Sequence, residues 1–307
     1  MGLPWTNVYG VARTLLALAT LLTLVYNPSN VLFLEGPQCG FPFSAFCILP
    51  ASHLEVSRWG SVLLLAVVAS GWRPRVTGLL HWWISASFFM SASVVDGGDH
   101  VTGVLTLILI PLTFTDPRPW HWQKLPRRRL TRSIVVGWSS LVVVRVQMAG
   151  LYLHAFVAKT GVEEWVDGTA LYYWFNDNDF GLPGLMRVVT EPFLSNWAVV
   201  SAITWGSLLI EIVLFLGLAM PSRVRVWLFG LGVMFHGLIA VCMGLWSFSL
   251  AMVGALVLYL LPASNVNCLA LRPGWFRGKR KARDEWITAS HGWHRHHTVS
   301  HGGRASG

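Results

Sequence analysis

Residues 133–160 read SIVVGWSSLVVVRVQMAGLYLHAFVAKT, and the fold turns on this stretch. Only Arg145 and Lys159 carry a fixed charge in it. As an α-helix, a run of this length extends roughly 40 Å, more than the ~30 Å hydrocarbon core of a bilayer. An ionisable side chain at the bilayer centre costs roughly 2.5–3.5 kcal/mol even on the lenient insertion scale, so such residues turn toward protein. Arg145, Tyr152 and Lys159 recur every seven residues and form one stripe along the helix. Gln147 and His154, also seven apart, mark an adjacent stripe. The pattern predicts a membrane helix with a polar seam facing its neighbours.

The rest of the chain agrees with a membrane setting. Of 307 residues, 54% are hydrophobic and only 12% charged, with a mean hydropathy of +0.53. A soluble domain carries roughly twice that charged fraction. Further apolar runs lie at about 7–26, 58–72, 76–95, 101–115, 196–219, 226–245 and 248–262. The expected fold is an all-α integral membrane protein, a bundle of about eight transmembrane helices over 1–262. Arg13 sits inside the first run, no Lys or Arg precedes it and no small-residue cleavage site follows Tyr26, so this segment reads as a retained helix.

The net charge of +9 is concentrated at Arg73/Arg75, Arg118 to Arg132, Arg223/Arg225 and the tail from Arg272 to Arg304. Each cluster abuts an apolar run, which fits the positive-inside rule and argues against nucleic acid as the partner. With all four clusters on one side, both termini are cytoplasmic and the protein is a multi-pass protein of the cell membrane. The loops 27–57, 96–100, 161–195 and 244–247 then face outward. The basic tail, 263–307, is rich in histidine (His291, His294, His296, His297, His301), but the spacing is irregular and no cysteine joins it. A disordered tail is expected, with no metal site.

The longest outer loop carries Trp165, Tyr172, Tyr173, Trp174, Phe175, Phe180 and Phe193. These suit an interfacial aromatic belt, or a lid over a cavity for an amphiphile. Cys39 and Cys47 share the first outer loop with seven residues between them, and a structural disulfide is expected there. Cys242 and Cys268 read as bystanders. Glu211 and His236 fall near the midplane of their helices and suggest a Glu–His pair between neighbours. Asp96, Asp99 and His100 share a tight outer turn, either solvated or able to handle protons. Lys159 lies about 39 Å along its helix, near the outer interface. There it either snorkels to the headgroups or is buried and acts as a base.

Several of these segments are similar to a known superfamily. Gln147-Met-Ala-Gly-Leu-Tyr152, then Lys159, then Trp165-Val-Asp-Gly-Thr-Ala-Leu-Tyr172-Tyr173 resemble the signature of the HTTM (horizontally transferred transmembrane) domain, shared with vitamin K-dependent γ-carboxylase. Phe235-His236, Gly244-Leu-Trp-Ser-Phe248-Ser249, and Ala12-Arg13 with Asn27 and Leu32-Phe33 resemble the same domain. The Asp96-Gly-Gly-Asp99 hairpin and compact length look most like its SdpB branch. That resemblance implies a membrane factor for maturing a secreted antimicrobial peptide, with a small exported peptide and an SdpA-like protein as partners. The carboxylase resemblance implies that Lys159 is a base acting on a reduced quinone. His100 and His236 are then further catalytic candidates, and Arg145, Tyr152, His154, Trp165 and Glu211 line the substrate site. The large domain that follows the helices in the animal carboxylase has no counterpart here, which puts glutamate carboxylation in doubt. A transporter or immunity-type protein is the third class, with no inverted repeat to support it.

Overall fold

The computed structural model describes residues 3–123, 131–177 and 181–263. The tail from 264, with Cys268 and the histidine cluster, and Phe180 of the aromatic loop lie outside the described residues. Among the described residues twelve α-helices follow one another: α1 (Asn7–Tyr26), α2 (Ser29–Leu32), α3 (Leu54–Ser70), α4 (Pro74–Ser91), α5 (Gly97–Thr115), α6 (Thr131–Thr160), α7 (Glu163–Val166), α8 (Ala170–Asn176), α9 (Gly184–Leu194), α10 (Trp197–Leu216), α11 (Ser222–Met243) and α12 (Trp246–Leu260). No extended strand occurs among the described residues, only isolated bridges such as Trp72 to Trp120. The fold is all-helical.

Each of the eight apolar runs coincides, within a few residues, with one long helix. Five of these, α1, α5, α6, α10 and α11, are long and apolar enough to cross a membrane. The other three are shorter or more polar: α3 has 17 residues, α12 has 15, and α4 carries His81 and several serines. The shortness of α12 has a packing explanation. It is buried on nearly every side, from Ala251 and Met252 through Gly254 to Leu260, and packs against α1, α5, α6 and α11. Gly254 lets α1 approach closely, because a β-carbon there would meet Leu15 Cβ at 3.1 Å and the Ala12 carbonyl at 3.2 Å. A helix walled in by protein has no lipid thickness to match.

The peripheral helices show one inward stripe each. On α11 the buried residues are Leu228, Gly232, His236 and Ala240, spaced four apart. Its opposite face exposes Trp227, Met234 and Leu238, as a lipid-facing helix should. On α10 the stripe is Val200, Thr204, Leu208, Glu211 and Leu214. On α6 it runs through Leu141, Val144, Met148 and Tyr152. Thus α6, α10, α11 and α12 bring their polar residues together.

The two ends of the bundle differ in chemistry. At one end, the turns after α3 and α5 interlock: Arg73 N–H donates to the Pro119 carbonyl at 2.7 Å, and His121 N–H to that of Gly71 at 3.0 Å. Gly71 has φ +86° and faces the His121 ring, so only glycine serves there. Burial, with the Arg13 and Arg118 cations nearby, pushes the His121 imidazole down to about 3, which keeps it neutral. Basic residues Arg73, Arg75 and Arg118 gather at this end. The opposite end carries Cys39 joined to Cys47 by a disulfide, Cα to Cα 5.8 Å. That loop is pinned to α4 by the Ser44–Ser91 hydroxyl pair at 2.7 Å and by Ala45 N–H donating to Ser87 Oγ at 3.0 Å. Replacing Cys39 with serine is expected to lower stability by about 2–3 kcal/mol through loop entropy, read as a drop in melting temperature that a reducing agent reproduces in the parent protein.

Candidate functional site

The seam on α6 continues outward from Tyr152 to Lys159, and each of the two finds a partner on a different helix. Lys159 forms an ion pair with Glu211 of α10. Its ammonium also lies 5.0 Å from the centre of the Trp165 ring, in α7 just beyond. The Lys159 side chain is 28% exposed and that of Glu211 only 6%. Tyr152 Oη lies 3.1 Å from Nε2 of His236 on α11. The backbone carbonyl of His236 accepts from Ser249 Oγ of α12 at 2.7 Å, and its ring packs edge-on against Phe248. Lys159 is near enough to act electrostatically on His236, and Glu211 on Tyr152. The four form one constellation.

This pairing differs from the Glu211–His236 pair expected from depth alone. α6 contributes the cation and the phenol two turns apart, so Glu211 and His236 each bond to α6 instead of to one another. Glu211 Oε2 and His236 Nδ1 have no hydrogen-bond partner and are buried. The site therefore holds one partly exposed ammonium, one carboxylate with a free oxygen, and one imidazole whose second nitrogen is open.

Tyr259, overlooked in the sequence, backs the cluster. Its ring stacks on Tyr152 with centroids 6.4 Å apart, and its hydroxyl donates to the Leu214 carbonyl at 2.8 Å. A lone tyrosine near the end of an apolar run looks like an interfacial anchor, so nothing in the sequence marked it as central. Gly168, within the Trp165-to-Tyr173 segment, also shapes the site. It has φ +85°, and a β-carbon there would lie 2.8 Å from Ser201 Oγ. The bend seats α7 and α8 on α10, where Trp205 Nε1 donates to the Val166 carbonyl at 3.2 Å and Leu171 N–H to Thr204 Oγ1 at 3.3 Å. Gly168→Ala is expected to cost about 1–3 kcal/mol and to loosen Trp165 from Lys159, seen as increased Trp165 accessibility to an aqueous quencher in a variant whose other tryptophans are replaced.

The remaining candidates lie elsewhere. Arg145 is midway along α6, where Nη2 donates to the Leu261 carbonyl at 3.4 Å beside Arg225. His154 and Gln147 are exposed, so the second stripe of α6 faces out of the bundle and not into it. His100 is exposed and stacks on Phe89, 4.8 Å between ring centres. Asp96 and Asp99 form a capping box at the start of α5, in which Asp96 Oδ1 accepts from Gly98 N–H at 2.7 Å and Asp99 N–H at 3.0 Å. Burial pushes the Asp96 carboxyl above its ordinary range. The acidic hairpin is thus a helix start. The aromatic loop divides: Trp165 and Phe175 turn inward, the latter against Leu182, Leu194 and Val200, while Tyr172, Tyr173, Trp174 and Phe193 are exposed.

With this geometry in hand, the chain can be set beside known proteins. It is 35% identical over 274 residues to the sporulation-delaying protein SdpB of Bacillus subtilis, covering 85% of this chain and 83% of SdpB. The chain belongs to the SdpB family. It is also 41% identical over 271 residues to the uncharacterized protein YitO of the same organism, 85% of this chain and 87% of YitO. No family model matches the chain, and no solved structure matches it. Membership in the SdpB family and the five apolar helices long enough to cross a membrane, among the described residues, make it a membrane protein.

Proposed function

We propose that this protein is a cell-membrane factor for the maturation of a secreted antimicrobial peptide, acting with a small partner of the SdpA type at the end of the bundle that carries the disulfide. The observation that carries this reading is the similarity to SdpB over most of both chains. The Lys159–Glu211–Tyr152–His236 constellation is the place where the bundle offers chemistry to such a substrate. The basic turns at the opposite end support an orientation with that end in the cytoplasm and both termini with it. Trp165 covers Lys159 on one side, and the exposed aromatics of α8 and α9 suit a substrate that arrives at the membrane interface. Deleting the gene in a producer is expected to leave the peptide precursor synthesised and exported but without toxicity. Undiminished toxicity in the deletion strain refutes the proposal.

The Lys159–Glu211 pair also bears on the second reading, a quinol-dependent enzyme related to the HTTM carboxylases. A lysine that acts as base must first release a proton, and the buried Glu211 carboxylate beside it is a ready acceptor. A reduced quinone would supply the oxidisable ring in that chemistry, while Lys159 would take its hydroxyl proton and Trp165 would have to move aside to admit it. Organic extraction of the purified protein followed by mass spectrometry checks for a co-purifying menaquinone.

A further inference from the structure

Two arginines come together where α6 passes the foot of α12. Arg145 stands midway along α6, and side chains on a helix lean toward its N-terminus. The guanidinium therefore projects toward the end of the bundle that carries the basic turns. There Nη2 reaches the Leu261 carbonyl, just past α12, at 3.4 Å. Arg225, near the start of α11, is the neighbouring charge that acts on it. Arg225 also acts on Tyr259 of α12, whose hydroxyl donates to the Leu214 and Phe215 carbonyls in the last turn of α10. Both arginines are half-buried, so each keeps one side open. In each, Nε is sealed from solvent and has no hydrogen-bond partner.

The pair has no carboxylate. Arg58, Arg118 and Lys159 each face one, from Glu55, Asp116 and Glu211, but no ion pair to Arg145 or Arg225 occurs among the described residues. Two like charges at the margin of a low-dielectric interior repel, and more strongly as water is excluded. The Leu261 carbonyl at the C-terminal end of α12 answers with only a partial negative charge, at the edge of hydrogen-bond range. The depth of the pair says which full anion is at hand. Trp227, two residues beyond Arg225, is 82% exposed, and an exposed tryptophan close to a helix end marks the headgroup layer. In that layer the abundant anion is lipid phosphate, whose oxygens match the planar guanidinium fork two at a time. Val142, Val146 and Leu153, on one flank of Arg145 along α6, are exposed and offer apolar surface to an acyl chain.

We propose that Arg145 and Arg225 together bind the phosphodiester of an anionic phospholipid, with an acyl chain lying along the exposed flank of α6. Two cations select a lipid of net negative charge over a zwitterionic one, whose own ammonium the pair repels. The bound phosphate would relieve the repulsion and tie α6 to the start of α11. This stands apart from the maturation reading, since neither arginine belongs to the Lys159 site.

Melting curves of the full-length protein in nonionic detergent micelles doped with lipid, at constant ionic strength, provide the test. Phosphatidylglycerol is expected to raise the melting temperature saturably by at least about 3 °C, by mass action on the folded state, and phosphatidylcholine or inorganic phosphate is not. Arg145→Gln and Arg225→Gln should each raise the half-saturating lipid fraction about tenfold, and the double variant should lose the response. Arg223→Gln removes the same charge from an exposed position two residues away and should respond like the parent. Native mass spectrometry counts the lipid independently of stability, with one phosphatidylglycerol retained by the parent and none by the double variant. An equal rise with phosphatidylcholine or with inorganic phosphate alone overturns the proposal. So does lipid retained by a folded double variant, or an equal weakening in Arg223→Gln.

Discussion

Replacing Lys159 with arginine is expected to lower production of active peptide by roughly 10²-fold or more while leaving the protein folded and in the membrane. The guanidinium keeps the positive charge that Glu211 needs, so the buried carboxylate stays compensated. What it cannot do is give up a proton near neutral pH. Toxin titre against a sensitive strain, normalised to membrane-inserted protein, reads the effect. Full activity in the arginine variant removes proton transfer by Lys159 from the mechanism and leaves only a charge requirement.

The Lys159–Glu211 pair also yields an asymmetric stability prediction. Lys159→Met strands the Glu211 carboxylate, which has almost no access to solvent, and is expected to cost about 3–5 kcal/mol. Glu211→Leu is expected to cost less, because the ammonium is 28% exposed and reaches the interface on a flexible stem. The double variant Lys159→Met/Glu211→Leu should recover most of the stability lost in Lys159→Met, since well-packed apolar residues often replace a buried ion pair without penalty. Its activity should remain lost. Reversible unfolding in mixed detergent micelles gives the three energies, and equal losses in the two single variants would contradict the burial difference on which the prediction stands.

The residues that could be read in advance are those whose neighbours in sequence dictate their surroundings. The heptad recurrence of Arg145, Tyr152 and Lys159 fixes their common side of α6, because a helix offers one geometry to that spacing. It does not fix which helix lies opposite. Depth estimates put Glu211 and His236 at similar levels, yet the lateral order of α10, α6 and α11 decides that Glu211 meets Lys159 and His236 meets Tyr152. Lateral order is a long-range property with no local signature. The outward placement of His154 follows from the same order: among the described residues the face of α6 holding it is left exposed. Asp96 and Asp99 show the opposite failure. Their spacing is also that of a helix start, and the capping box accounts for it. Gly168 was visible as part of a motif, but its left-handed backbone becomes apparent only once Ser201 is seen against it.

The central position of α12 has a consequence for biogenesis. Its most extensive neighbour is α1, so a helix made early, Asn7–Tyr26, is matched to one made late, Trp246–Leu260. Until residues 246–260 emerge, the inner surfaces of α1, α5, α6 and α11 have no protein to cover them and must be screened by lipid or by the insertion machinery. Helix α12 therefore enters as a wedge among helices already made. A chain stopped before Trp246 would leave their inner surfaces open, and the quality-control proteases of the membrane would meet it as an unfinished product.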